Sequence, residues 1–272
     1  MKILITTDLE GVSGIVEWDK HETGTALDRW QRRLMTGEVN AAIAGAYDAG
    51  ATRVKVAEGH EAIDIIQLDE RATLVPAHWP ALPIYAGWDE GFDAMLQIGK
   101  HSMANTPDGV LAHTYNHRDT DYMEINGKRI GEIGIEAAEA GDYGFPIVML
   151  SGDAAACREA QQLLGDIEIA PVKTGYDCHH ADCLHPKAAC DLIYNKVVAA
   201  LKRIDDFKPF IIPGPIRLLE RKRTPMDQEL IKKLESKDYA EIIDSHTVVY
   251  KGENVIEAMA HRCGIDYTWP GK

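Results

Sequence analysis

A short apolar run, a long amphipathic stretch and a second apolar run occupy residues 3–57, and their order restricts the fold more than any other feature. Ile3 to Thr7 reads as a β-branched strand, and Val54-Lys55-Val56-Ala57 as another. Between them Leu27, Trp30, Leu34, Val39, Ile43 and Ala46 recur at helical spacing as far as Gly50, a residue suited to the position just past a helix end. Strand, helix and strand in that order predict a parallel sheet with helices on its faces. Met95-Leu96-Gln97-Ile98 and Pro146-Ile147-Val148-Met149-Leu150 predict two more of its strands. The expected fold class is α/β: a three-layer α/β/α core with a mostly parallel sheet, plus a smaller α+β C-terminal unit.

One segment departs from the alternation. Tyr122 to Ile130 sets Asn126-Gly127 between two short strand patterns, a strong hairpin signal. Helices are predicted from about Glu132 to Tyr143, from Asp153 to Leu164, and from Lys187, where Leu192, Val197, Ala200 and Ile204 share one side. After Lys208 the texture changes, and Thr224-Pro225-Met226-Asp227 reads as a helix start with Thr224 as N-cap and proline in the first position. A strand at Thr247–Tyr250 and a helix from Asn254 to Arg262 follow. The expected division is 1–205 for the α/β unit and 206–272 for the smaller one.

Composition narrows the function. Of 272 residues, 45% are apolar and 26% charged, the balance of a globular protein. The 29 basic and 43 acidic residues give a net charge of −14, which argues against a nucleic-acid partner. No segment approaches the ~18 uninterrupted apolar residues of a membrane span, and the start turns acidic at Asp8, too soon for a signal-peptide core. Five cysteines, an odd number, fit a reducing compartment with free or ligating thiols, so a cytoplasmic protein is expected.

The chemistry-bearing residues lie where strands end. Asp8-Leu9-Glu10 closes the first strand, and side chains two apart on a strand face the same way. In open α/β sheets ligands collect beyond the carboxyl ends of the strands. The second strand runs into Glu58-Gly59-His60 and the third into Gly99-Lys100-His101. Each group alone reads as an acidic turn or a surface histidine. Carboxylates and imidazoles at three strand ends together form a donor set for zinc, manganese or cobalt.

The run Asp8-Leu9-Glu10-Gly11-Val12-Ser13-Gly14 resembles the N-terminal signature of the M55 metallopeptidases, the D-aminopeptidase family. Gly99-Lys100-His101 resembles that family's Gly-Tyr-His, and Thr106-Pro107 with Gly109-Val110 and His113 its Thr-Pro-Gly-Val stretch ending in histidine. Gly131-Glu132-Ile133-Gly134 is similar to Gly-Glu-Leu-Gly, and Cys183-Leu184-His185-Pro186 to Cys-Leu-Ser-Pro. The resemblance implies two zinc ions held by Asp8, Glu10, His60, His101 and Glu132, with Asp8 bridging, and His113 as the catalytic nucleophile. It also implies release of an N-terminal D-amino acid from a short peptide and a ring-like homo-oligomer, a decamer. Glu58, Lys173, Tyr115 and His117 stand as candidates for binding substrate or supporting the ligands; Lys173 lies in a Val-Lys pair similar to the family's. The chain departs from the pattern at Glu58-Gly59, where Asp-Ser is usual, at the extra Asp108, and over Thr114 to His117.

The chemistry holds together on its own terms. Two divalent ions polarise an amide carbonyl and activate water, and Asp8, Glu10 and Glu132 offset most of their charge. His113 either attacks directly or shuttles protons. Three rivals remain: a metal-dependent amidase or lactam hydrolase, a metal-dependent peptide-binding protein without turnover, and a structural zinc protein built on Cys178, Cys183 and Cys190. The last has no standard finger spacing, and its His179 or His180 is expected at the rim of the active site instead. Arg221-Lys222-Arg223 reads as a solvated face, and no phosphate-binding loop is present.

Overall fold

The computed structural model describes residues 1–18, 24–76 and 87–269. Its strands are β1 (Lys2–Thr7), β2 (Arg53–Ala57), β3 (Ala72–Val75), β4 (Ala94–Lys100), β5 (Thr120–Ile125), β6 (Lys128–Arg129), β7 (Ile147–Asp153), β8 (Glu168–Gly175), β9 (Ala181–Cys183), β10 (Ile216–Lys222), β11 (Ala240–Asp244) and β12 (Thr247–Gly252). The helices are α1 (Ala26–Asp48), α2 (Glu132–Tyr143), α3 (Ala154–Leu164), α4 (Pro186–Lys202), α5 (Gln228–Glu235) and α6 (Val255–Arg262).

The main sheet has the order β3-β2-β1-β4-β7-β8-β9 and is parallel up to β8, with β9 antiparallel at its edge. β1 therefore sits centrally between β2 and β4, and both neighbours carry ligand candidates at the same end. On one face α1 buries Met35, Val39 and Ile43, and α4 buries Ile193 and Val197, against Ile3, Ile5, Val54 and Val56. On the other face α2 and α3 cover Leu4, Met95, Ile147 and Leu150. The expected three-layer α/β/α core is thus present.

A second, antiparallel sheet has the order β11-β12-β10-β5-β6. It takes the predicted hairpin, β5 and β6, from the middle of the chain, because β5 pairs along β10 with Ile125 opposite Leu218. The smaller unit is therefore not formed by residues 206–272 alone. A two-stranded hairpin is marginal in water, and β10 supplies the third strand that its own sequence lacks.

α2 is shared between the two units. Ile133, Ala137 and Ala140 pack with the main sheet, while Ile135 and Ala138 pack with Met123, Leu218, Val248 and the α6 residues Val255, Ala258 and Met259. A helix apolar on opposite sides belongs in an interior. Full burial of Ile133 and Ile135 contributes on the order of 1.5–3 kcal/mol each.

The start of α5 differs from the sequence expectation. Asp227 is the N-cap, accepting from the Leu230 N–H at 2.7 Å. Thr224 is drawn away, since its hydroxyl donates to Asp119 Oδ1 at 2.9 Å. Among the described residues no helix is long and apolar enough to cross a membrane.

Candidate metal centre and active site

β1 ends at Thr7, so Asp8 and Glu10 lie in the loop beyond it and the two-residue strand period does not align them. A tight crossing with the end of β4 does so instead. Asp8 N–H donates to Ile98 O at 2.9 Å and Gly11 N–H to Gly99 O at 2.7 Å. Gly99 has φ +77°, and a Cβ there would stand 2.0 Å from Asp8 O; one at Gly11 would stand 2.0 Å from Lys100 O. Only glycine admits this approach.

The expected ligands converge. His60 Nδ1 lies 3.5 Å from Asp8 Oδ1 and 3.2 Å from Glu10 Oε2. His101 Nε2 lies 3.4 Å from Asp8 Oδ2 and 3.5 Å from Glu132 Oε1. Each Asp8 oxygen therefore faces a different histidine. Among the described residues, two groups have donor atoms within 4.8 Å of one another: Asp8, Glu10 and His60, and His101, His113 and Glu132. Glu132 opens α2, where the positive end of the helix favours a carboxylate. His101 Nε2 is buried without a hydrogen-bond partner although two carboxylate oxygens flank it. Donor atoms that crowd a common point, with His60 Nδ1 and His101 Nε2 each between two carboxylate oxygens, fit a cation among them.

Electrostatics agree with this. Burial opposes ionisation of Asp8, but Lys100 and His101 outweigh it and hold its carboxyl well below the usual range. Burial likewise opposes charge on Glu132, yet His101 brings it down to about 2. Against burial, Asp8 and Glu132 hold His101 up at about 10. The metal-free cluster thus keeps protons on imidazole where a metal would displace them.

His113 stacks on His101, with ring centroids 4.0 Å apart and planes at 18°. Its Nδ1 meets Leu111 O at 2.9 Å. A carbonyl only accepts, so Nδ1 carries the hydrogen and Nε2 is the basic atom of the neutral ring. Nε2 stands 4.0 Å from Glu132 Oε1. Burial, then the charge on His101, lowers the His113 pKa from its ordinary value.

The four further candidates take different places. His117 stacks on Trp18 at 4.2 Å, and Trp18 meets His113 edge-on at 5.1 Å, so both belong to the wall around His113. Tyr115 does not present its ring to the site: at φ +57° its backbone N–H donates to Glu132 Oε1 at 2.6 Å, while the ring lies under the Arg262 guanidinium at 4.5 Å. Glu58 accepts from the Ile63 N–H and so braces the loop after His60. Lys173 is buried in β8, and its ammonium donates to the carbonyls of Glu10, Val12 and Ile15, pinning the loop that carries Glu10. His179 reaches the rim, with Nδ1 3.0 Å from Val16 O, whereas His180 turns to Asp177. The thiols of Cys178, Cys183 and Cys190 are free and enter neither donor group.

Sequence reasoning missed Trp18, Lys100 and Glu136. The signal for Glu136 was its position one helical turn after Glu132.

Glu38 supports the Glu10 loop from α1, accepting from Ser13 N–H at 2.9 Å. Burial pushes its carboxyl up to about 7 against the pull of Ser13 and Lys173. A folded-state pKa above the unfolded one gives stability that is present below the unfolded value and lost as pH rises through about 7. Glu38→Gln is expected to flatten the fall in Tm of the metal-free protein between roughly pH 4.5 and 7, the interval from the unfolded to the folded value. An unchanged slope in calorimetric scans would remove Glu38 as its source.

Carboxylates and imidazoles gathered at the carboxyl edge of a parallel sheet, with a further histidine stacked over them, make the donor set of a metal-dependent hydrolase. The chain belongs to the M55 peptidase family: the family model described as D-aminopeptidase matches residues 1–262. It is 31% identical over 224 residues to a D-aminopeptidase of Bacillus subtilis (strain 168), covering 81% of each chain. Among solved structures it is similar to the Zn-dependent D-aminopeptidase DppA from Bacillus subtilis, described as a self-compartmentalizing protease. The TM-score is 0.87 and the identity 28%, over 97% of this chain and 95% of that one.

Proposed function

We propose that this protein is a zinc-dependent aminopeptidase that releases N-terminal D-amino acids from short peptides, using two metal ions and His113. The observation that carries this reading is the convergence of Asp8, Glu10 and His60 on one side and His101, His113 and Glu132 on the other, in a chain of the D-aminopeptidase family. Asp8, Glu10, His60, His101 and Glu132 would hold the metal, Asp8 standing between His60 and His101. When bound there, divalent ions supply Lewis acidity to the scissile carbonyl.

The chain's own residues do the rest. Lys173 and Glu38 hold the Glu10 loop in register. The Tyr115 N–H orients Glu132. The Leu111 carbonyl fixes the His113 tautomer, which leaves Nε2 to take a proton from the attacking water and return it to the departing amine; where Nε2 instead attacks the carbonyl itself, the amine takes its proton from water and a second water later releases the acyl group from the ring. Trp18 and His117 stand edge-on to His113, at ring centroids 5.1 and 6.1 Å, and wall that part of the site. A ring-like, decameric homo-oligomer in the cytoplasm completes the reading; the assembly is supported by the self-compartmentalizing relative and the compartment by the odd number of cysteines, five.

The test is hydrolysis of D-alanyl and L-alanyl dipeptides beside cyclic amides, with zinc-loaded protein. Release of the D-amino acid in preference to the L form is expected. Cleavage of the cyclic amides alone would transfer the site to a lactam hydrolase, and binding without product would make it a peptide-binding protein.

A further inference from the structure

Lys100 is the last residue of β4 and is 2% exposed, among the largest wholly buried side chains of the protein. Its ammonium lies 2.5 Å from Glu136 Oε1 and 3.5 Å from Asp8 Oδ2. The second Glu136 oxygen accepts from Thr6 Oγ1 at 2.9 Å and from Gln97 Nε2 at 3.0 Å. Donors from β1 and β4 therefore lock this carboxylate, one turn beyond Glu132 on α2, against the lysine. The lysine stands where the family pattern Gly-Tyr-His has a neutral ring, next to His101 and against Asp8.

We propose that the buried Lys100–Glu136 pair tunes the metal affinity of the Asp8 site, with Glu136 cancelling a positive charge that Lys100 would otherwise direct at the bound ions. The inference rests on the metal-site reading above. Two divalent ions bring four positive charges to the three carboxylates of Asp8, Glu10 and Glu132. A bare ammonium on Asp8 Oδ2 competes for that oxygen and repels the ions, and burial strengthens the repulsion relative to water. Paired with Glu136, the lysine adds no net charge while still holding Asp8 in place. Lys100 and Glu136 are thus positioning residues whose removal acts on metal affinity with opposite signs. A pair that merely braced the fold would weaken the site whichever partner was lost.

The experiment titrates zinc into metal-free wild type, Glu136→Gln, Lys100→Met and the double variant by competition with a chromophoric chelator. Circular dichroism and melting confirm the fold of each. Glu136→Gln is expected to bind at least about tenfold more weakly than wild type. Lys100→Met is expected to bind no more weakly than wild type, because it leaves Glu136 as an uncancelled negative charge. The double variant should fall between them, close to wild type, because the two charges act on the ions with opposite signs and their removal together leaves the net charge unchanged. Equal weakening by both single variants, or an unchanged Glu136→Gln, overturns the proposal. If Glu136→Gln does not fold, Lys100→Met must bind zinc more tightly than the double variant, and equal affinities overturn the proposal as well. Wild type that binds no zinc would reject the metal-site reading itself, an outcome distinct from these.

Discussion

Asp8→Ala is expected to lower zinc affinity by at least about 100-fold, a larger loss than the ~10–100-fold typical for residues that only orient ligands, and, on the two-ion reading proposed above, to lose both ions at once. The reason is position. Asp8 Oδ1 faces His60 within its own donor group and Oδ2 faces His101 of the other, so one side chain stands against both. Its loss also leaves Lys100, already buried, with Glu136 as its remaining close carboxylate. Replacement of Glu10, which pairs with His60, should weaken the first group more than the second. Elemental analysis of dialysed protein reads the stoichiometry directly. Two ions retained by the alanine variant would remove Asp8 from the centre of the site.

His113→Ala should give the converse pattern. Metal content stays at the wild-type level, because the other five donors are in place, while kcat falls by about 10²–10⁴-fold, the range for a general acid–base group. KM should change little, since the ring acts on the reacting bond. The geometry isolates the role: Nδ1 is committed to the Leu111 carbonyl, and Nε2 is the one basic atom of the neutral ring. The same stack that places His113 over His101 keeps it within reach of whatever the metals hold. Turnover retained with full metal content would exclude it from catalysis.

Much of the framework was legible in the sequence. β1, α1 and β2 were written in apolar periodicity, and α2 falls on the residues predicted, from Glu132 to Tyr143. The ligand candidates were legible because strand ends in α/β sheets are where such residues meet. What escaped was whatever depends on the third dimension. Thr224 has the chemistry of an N-cap, but its hydroxyl is taken by Asp119, over a hundred residues earlier. β3 and β9 are too short, at four and three residues, to leave a period. Lys100 reads as a surface residue until the fold encloses it. Tyr115 looks like a pocket residue beside His113, yet its positive φ swings the ring toward Arg262. The pairing of β5 with β10 joins segments almost a hundred residues apart, which no local pattern records.

α2 belongs to two cores, and that has a consequence for how the protein comes apart. The helix that delivers Glu132 packs with the main sheet through Ile133 and Ala137 and with the antiparallel sheet through Ile135 and Ala138. Neither sheet can loosen without exposing one flank of that helix, so local melting of either one disturbs the carboxylate. The two sheets are therefore expected to melt as one cooperative unit, and zinc bound through Glu132 would be expected to raise the melting temperature of both together, which calorimetry with and without a chelator checks.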